Sequence, residues 1–205
     1  GSAESSLPSR MKFPKVYLAS ASPRRRELLT QIGVDFSVLN VAVDESVLAA
    51  ETPSDYAKRI ALAKAQAGWE TLKTDYRPVI GADTAVVLPS QQILGKPENL
   101  QQAEAFLLQL SASRHQVLSA VAIVWQQQHW LSLQISDVQF KKLSSAEIDW
   151  YLATGEGKDK AGGYAVQGLA AMFIENIKGS YSGVMGLPLF ETSQILQQVN
   201  IVNEQ

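Results

Sequence analysis

The chain has 205 residues, 46% of them hydrophobic and 19% charged, with a formal net charge of −2. That balance describes a globular protein with a sizeable core and excludes a general electrostatic trap for nucleic acid, so an anion site has to be a local cluster. With no cysteine and two histidines, His115 and His129, both in strand-like runs, the chain excludes disulfides and thiolate chemistry and argues against a zinc site or a Ser-His-Asp triad.

Gly1–Arg10 reads as a disordered leader opening on an expression scar, and residues 11–205 as one catalytic domain. No run approaches transmembrane length and no signal-peptide pattern is present, so a cytoplasmic protein is expected. Val16–Leu18 reads as a short buried strand. Ser22 is a helix N-cap, and Pro23 fits the first helical position, where a missing N–H costs nothing. Leu28, Leu29 and Ile32 recur at helical spacing, and Gly33 stops the helix. Phe36–Leu39 is a second strand. Thr52-Pro53-Ser54-Asp55 starts another helix, with an apolar stripe of Tyr56, Ile60, Ala63 and Ala67 and with Lys64 close beside it.

Val79–Leu88 reads as a buried strand with Asp83 in its middle. Ile93-Leu94 is a short return strand, and Ala103, Phe106, Leu107 and Leu110 mark a helix. Val117–Trp125 and Trp130–Phe140 form a hairpin across a glutamine-rich turn. Ser144-Ser145-Ala146-Glu147 is a capping box, and its helix ends at Gly155. Gly155–Gly168 is a glycine-rich loop. Met172–Ile174 with Ile177 reads as a strand, Ser180–Gly186 as a loop and Pro188–Val199 as the last helix. The alternation, broken by the hairpin, gives an α/β fold: a mixed sheet flanked by helices on both faces.

Arg24, Arg25 and Arg26 lie in the first helical turn, where the macrodipole is already positive. Each exposed cation there costs about 0.3–1 kcal/mol. An anion between them reverses that cost, because free N–H groups, the Ser20 and Ser22 hydroxyls and the guanidinium forks converge. A solvated basic helix face is the other reading of the same run. Asp83 is an acid inside an apolar strand, costly unless paired, hydrogen-bonded or bound to metal; its alternative is a solvent-facing strand end. Asp44 and Glu45 bring a second carboxylate to that site or belong to a solvated loop. Lys64 and Lys96 are single cations, and Gly95 and Pro97 fix the backbone around Lys96. Asp159 and Lys160 open the glycine-rich loop, where backbone approaches a ligand closely. The Gln167 amide carries a donor and an acceptor and suits a pyrimidine edge, or is an ordinary loop side chain.

Together these residues supply what metal-assisted attack on a phosphoanhydride needs. Cations neutralise phosphates, while carboxylates hold an oxygen-preferring ion and deprotonate water. At an effective ε of about 20, a cation ~4 Å from a phosphate charge contributes about 4 kcal/mol.

Leu18-Ala19-Ser20-Ala21-Ser22-Pro23-Arg24-Arg25, Gly81-Ala82-Asp83-Thr84, Gly95-Lys96-Pro97, Asp159-Lys160-Ala161-Gly162-Gly163-Tyr164, Gln167-Gly168 and Gly186-Leu187-Pro188 resemble the motifs of the Maf family of nucleoside triphosphate pyrophosphatases. The resemblance runs from about Val16 to Val199. It implies an elongated, twisted sheet like that of inosine triphosphate pyrophosphatases, with two lobes around a cleft. It further implies hydrolysis of a nucleoside triphosphate to monophosphate and pyrophosphate, a divalent metal (Mg or Mn), and often a homodimer. Asp83 matches the family's proton acceptor, and Glu45, Lys64 and Lys96 match its other charged positions. Glu45 and Asp83 are the implied metal ligands. Ser20, Ser22, Arg25, Asp159 and Lys160 stand among the implied substrate contacts. Arg24, Thr84 and Gln167 match the dTTP/UTP branch at the three positions where branches differ. Gly163 stands where alanine is frequent. A non-catalytic nucleotide-binding regulator of cell division is the alternative from another class.

Overall fold

The computed structural model describes residues 13–204. The expected leader, Gly1–Arg10, lies outside them. The elements alternate as expected: β1 (Val16–Leu18), α1 (Pro23–Gln31), β2 (Phe36–Val38), α2 (Pro53–Glu70), β3 (Val79–Val87), β4 (Ile93–Leu94) and α3 (Leu100–Leu110). The hairpin follows as β5 (Arg114–Trp125) and β6 (Gln128–Phe140), then α4 (Ser145–Thr154), β7 (Ile174–Lys178), α5 (Tyr181–Met185) and α6 (Leu189–Glu204).

Local chemistry sets the helix starts. Ser22 accepts from Arg25 N, Thr52 from Asp55 N and Asn99 from Gln102 N. Ser144 and Glu147 close a reciprocal capping box. Gly155 ends α4 at φ +68°, a conformation that favours glycine.

Seven strands form one mixed sheet in the order β2-β1-β3-β5-β6-β7, with β4 on β3. β1 runs parallel to β2 and β3, and the β3-β5, β5-β6 and β6-β7 pairs are antiparallel. The free edge of β3 is shared unevenly. β1 covers it at Val79 and Ile80, and β4 covers it at Val86 and Val87. Among the described residues no strand pairs with Gly81–Ala85 on that edge. The opening lies between β1 on one side and β4 on the other. Asp83 and Thr84 lie in it, where neighbouring strands diverge and open sheets bind ligands.

One core layer joins Ile80, Ala82 and Val86 of β3 to α1, α3 and α6. The layer on the opposite face joins Ala85 and Val87 to α2 and the alternate residues of β5. The α2 helix approaches the sheet through small residues, Ala57, Ala61, Ala65 and Gly68. A Cβ at Gly81 would overlap the Ala61 carbonyl oxygen.

Three local expectations are corrected. The buried stripe of α2 is Ala57, Ile60, Ala61, Ala65 and Gly68, one step around from the expected set, and Tyr56, Ala63 and Ala67 are half-buried. Close approach selects the smallest residues, while the Tyr56 ring turns toward the opening. Leu169–Phe173 is a 3₁₀ turn, so β7 begins at Ile174. Ser180–Gly186 is mostly the short helix α5, because Ser180 accepts from Gly183 N and caps it.

Candidate active site

A cleft of about 740 Å³ wraps around the uncovered edge of β3. Ser20, Ser22, Arg24, Arg25, Glu45, Lys64, Asp83, Thr84, Lys96, Asp159 and Lys160 all line it. Gln167 does not. It is exposed, and its Nε2 rests 3.3 Å from Sδ of Met185, a lining residue.

Alternation along β3 sends its two polar residues to opposite faces. Asp83 points to the α2 side with Ala85, and Thr84 to the α1 side with Ala82 and Val86. Asp83 is 7% exposed. Its Oδ1 lies 3.5 Å from Lys64 Nζ, which also lies 3.1 Å from Glu45 Oε1. The small face of α2 brings Lys64 near enough to make both contacts. Burial pushes the Asp83 carboxyl above the ordinary carboxylate range, while Lys64 and Arg25 pull it back.

On the other face, Arg25 joins three segments. Its Nε donates to Gly186 O at 2.8 Å, one terminal nitrogen to Thr84 Oγ1 at 3.2 Å and the other to Ser20 Oγ at 3.5 Å. Among the described residues no carboxylate lies within ion-pair distance of Arg25. Burial lowers its pKa, with Asp83 and Glu45 opposing at longer range. A cation held by neutral acceptors keeps its charge available to a ligand. Arg26 is exposed, a solvated position on the helix.

Lys96 is exposed on the β4 side of the cleft. The loop beyond it is fixed from behind, since Gly162 N donates to Gly95 O at 3.0 Å. Gly162 has φ +74°, and a Cβ there would crowd Val86. Asp159 and Lys160 face one another at 3.7 Å, with Asp159 largely exposed.

A family model described as Maf-like protein matches residues 15–199. The chain belongs to the Maf family. Several relatives carry the name dTTP/UTP pyrophosphatase. That of Pseudoalteromonas atlantica is 48% identical over 91% of this Maf chain and 98% of its own. That of Alkalilimnicola ehrlichii is 50% identical over 92% and 94%. Among solved structures, the Staphylococcus aureus Ham1 protein is similar over 62% of this chain and 71% of its own, at 14% identity and a TM-score of 0.44.

Several residues of this Maf cleft escape a reading of the sequence, Tyr56, Met185 and Gly186 among them. Tyr56 looks like part of a helical stripe, yet it lines the cleft, and its hydroxyl donates to Glu45 O at 2.6 Å. Met185 and Gly186 also line it. The glycine before Leu187-Pro188 was a usable signal for Gly186, and nothing local marks Tyr56 or Met185.

The donor set suits an oxygen-preferring divalent ion. Asp83 Oδ2 is buried without a hydrogen-bond partner, and Glu45 shares Lys64 with Asp83. Among the described residues no cluster of three His, Cys, Asp or Glu side chains forms a closed cage. Two carboxylates fit Mg²⁺ well, because that ion keeps waters and phosphate oxygens as its remaining ligands.

Proposed function

We propose that this Maf protein is a cytoplasmic enzyme that hydrolyses dTTP and UTP to the nucleoside monophosphate and pyrophosphate. The observation that carries the reaction is Asp83, a buried acid with one unpartnered oxygen, lining a cleft walled by Lys64, Arg25, Arg24, Lys96 and Lys160. The names of the relatives support the choice of substrates, and the cytoplasm is where such nucleotides are made and used.

In this reading Asp83 accepts a proton from water as the water oxygen bonds to the α-phosphorus. The bond from that phosphorus to the bridging oxygen breaks, and pyrophosphate leaves with the electron pair. Arg25, Lys64 and Lys96 offset the charge that grows on the leaving group, in fixed positions that need no reorganisation. Ser20 and Ser22 donate to phosphate oxygens, and Asp159 and Lys160 close the far side of the cleft. Glu45 and Asp83 would hold the divalent ion, Mg or Mn, which supplies charge neutralisation for the triphosphate and polarises water. Arg24, Thr84 and Gln167 select the nucleotide.

A pyrophosphate-release assay across dTTP, UTP, CTP, ATP and GTP, with and without chelator, tests this. Turnover of dTTP and UTP that the chelator abolishes is expected. Binding without product would replace the enzyme with the regulator of cell division, and preferred turnover of a purine would overturn the substrate. Adding base-modified pyrimidine triphosphates to the panel shows whether those are the better substrates. Light scattering of the free protein tests the homodimer that the family resemblance implies.

A further inference from the structure

A glutamine amide meets uracil through one donor and one acceptor, and meets cytosine through the same pair reversed. Selectivity from Gln167 therefore requires that the amide be held; a loose one presents either edge. Met185 Sδ touches the tip of the side chain. The segment beneath it is fixed by two residues of the preceding helix and loop, Tyr151 and Glu156.

Glu156 Oε1 accepts from Leu169 N at 2.8 Å, and Oε2 accepts from Ala170 N at 3.4 Å. Oε2 also accepts from the Tyr151 hydroxyl at 2.7 Å. The same hydroxyl accepts from Ala165 N at 3.1 Å. The arc from Ala165 to Ala170 is thus pinned at both ends, with Gln167 at its crest. The carboxylate lies directly against the Gly168 backbone, where a Cβ would overlap Oε1. Tyr151 is buried, and burial together with the bond to Glu156 pushes its pKa up, so it stays a donor. Among the described residues no Lys, Arg or His forms an ion pair with Glu156. Its charge is satisfied by N–H and O–H donors alone, an arrangement that fixes backbone and leaves no role in a surface ion pair.

We propose that Glu156 is a positioning residue that sets the base selectivity of the cleft by holding the arc that carries Gln167. The proposal rests on reading Gln167 as a base-selecting side chain. Glu156 is not among the residues that line the cleft, so its loss acts on discrimination between bases more than on phosphate chemistry.

The test compares Glu156→Ala, Glu156→Gln and Gln167→Ala by kcat/KM for UTP and for CTP. The ratio of the two cancels any loss of folded protein, which a merely structural role would produce. One well-placed hydrogen bond amounts to about tenfold. Gln167→Ala and Glu156→Ala should each lower the UTP/CTP ratio by about that factor. Glu156→Gln keeps one acceptor for Leu169 N and should recover part of the ratio. If Glu156→Ala is too unstable to assay, a ratio below the parent's in Glu156→Gln carries the same meaning. A parent ratio in the Glu156 variants, with a lowered ratio in Gln167→Ala, overturns the positioning role alone. A parent ratio in Gln167→Ala overturns the reading of Gln167 and the proposal with it.

Discussion

Lys64 Nζ stands between two carboxylates, 3.1 Å from Glu45 Oε1 and 3.5 Å from Asp83 Oδ1. The lysine side chain is 16% exposed and that of Asp83 9%, so little solvent screens this pair. Glu45 is half exposed, and its share of the contact is weaker. Asp83→Asn keeps the shape and removes the proton acceptor. It should lower pyrophosphate release by 10²- to 10⁴-fold, the usual worth of a positioned base. Because burial makes the ionised carboxylate costly, the melting temperature should stay at or above the parent's. Near-normal turnover by Asp83→Asn would sink the assignment. Lys64→Met should also cost about 10²-fold or more, and it should lower stability, since Asp83 then loses its nearest cation.

The loop that carries Glu45 is tied to α2 by side chains of that helix. Tyr56 donates to Glu45 O at 2.6 Å, and Arg59 donates to Ser46 O at 2.8 Å. Arg59 also forms a two-point pair with Glu51, at 2.6 and 2.9 Å. Tyr56→Phe removes one bond, worth about 0.5–1.5 kcal/mol. The Mn²⁺ concentration for half-maximal activity should rise by about two- to tenfold, with kcat at saturating metal little changed. Arg59→Met cuts the ties to Ser46 and Glu51, leaves the Lys64–Glu45 contact, and should raise it further. Metal titrations of activity check the order of the two effects.

His115 gives the fold a pH dependence. It is fully buried, with Nε2 2.6 Å from the Tyr164 hydroxyl and its ring edge-on to Phe140. Burial pushes its pKa down to about 4. The unfolded chain takes up this proton near pH 6.5, and the native state resists it until about pH 4. Between those values the unfolded state binds more protons, so stability falls as pH drops through that window, by roughly 3 kcal/mol in all. Denaturant titrations at pH 7, 5.5 and 4.5 measure this. His115→Gln keeps a hydrogen-bonding amide beside Tyr164 and should flatten the slope; an unchanged slope assigns the loss to other groups.

At Gly81, α2 packs directly against the strand that carries Asp83. The obstacle to a Cβ is backbone, the Ala61 carbonyl, and cannot rotate away. Gly81→Ala should cost about 3 kcal/mol, a fall in melting temperature of about 6–12 °C. It should also reduce turnover at temperatures where the protein is folded, because lifting α2 draws Lys64 off Asp83. Circular dichroism melts paired with rate measurements separate the two effects.

Much of the fold was legible because its signals are local. Ser22-Pro23, Thr52-Pro53, Ser144 with Glu147 and Gly155 declare helix ends through contacts three or four residues apart. The hairpin of β5 and β6 follows from two long apolar runs and one turn. The phase of α2 is not legible in the sequence, because hydrophobic spacing ranks Tyr56 with alanine, whereas close packing on Gly81 ranks by size. The α5 helix is not legible because Gly183 inside its short span and Gly186 just after it mask the cap at Ser180.

By itself, the sequence determined which charged residues exist, the turns they sit on and the family to which their motifs belong. Tertiary structure decided which of them meet. Arg25 reaches Thr84 across 59 positions and Gly186 across 161. Asp83 and Thr84 are chain neighbours, yet they serve opposite faces of one strand. The physical reason is sheet order. β1 and β4 leave the middle of β3 uncovered, and only long-range pairing can create that opening, which no local preference encodes.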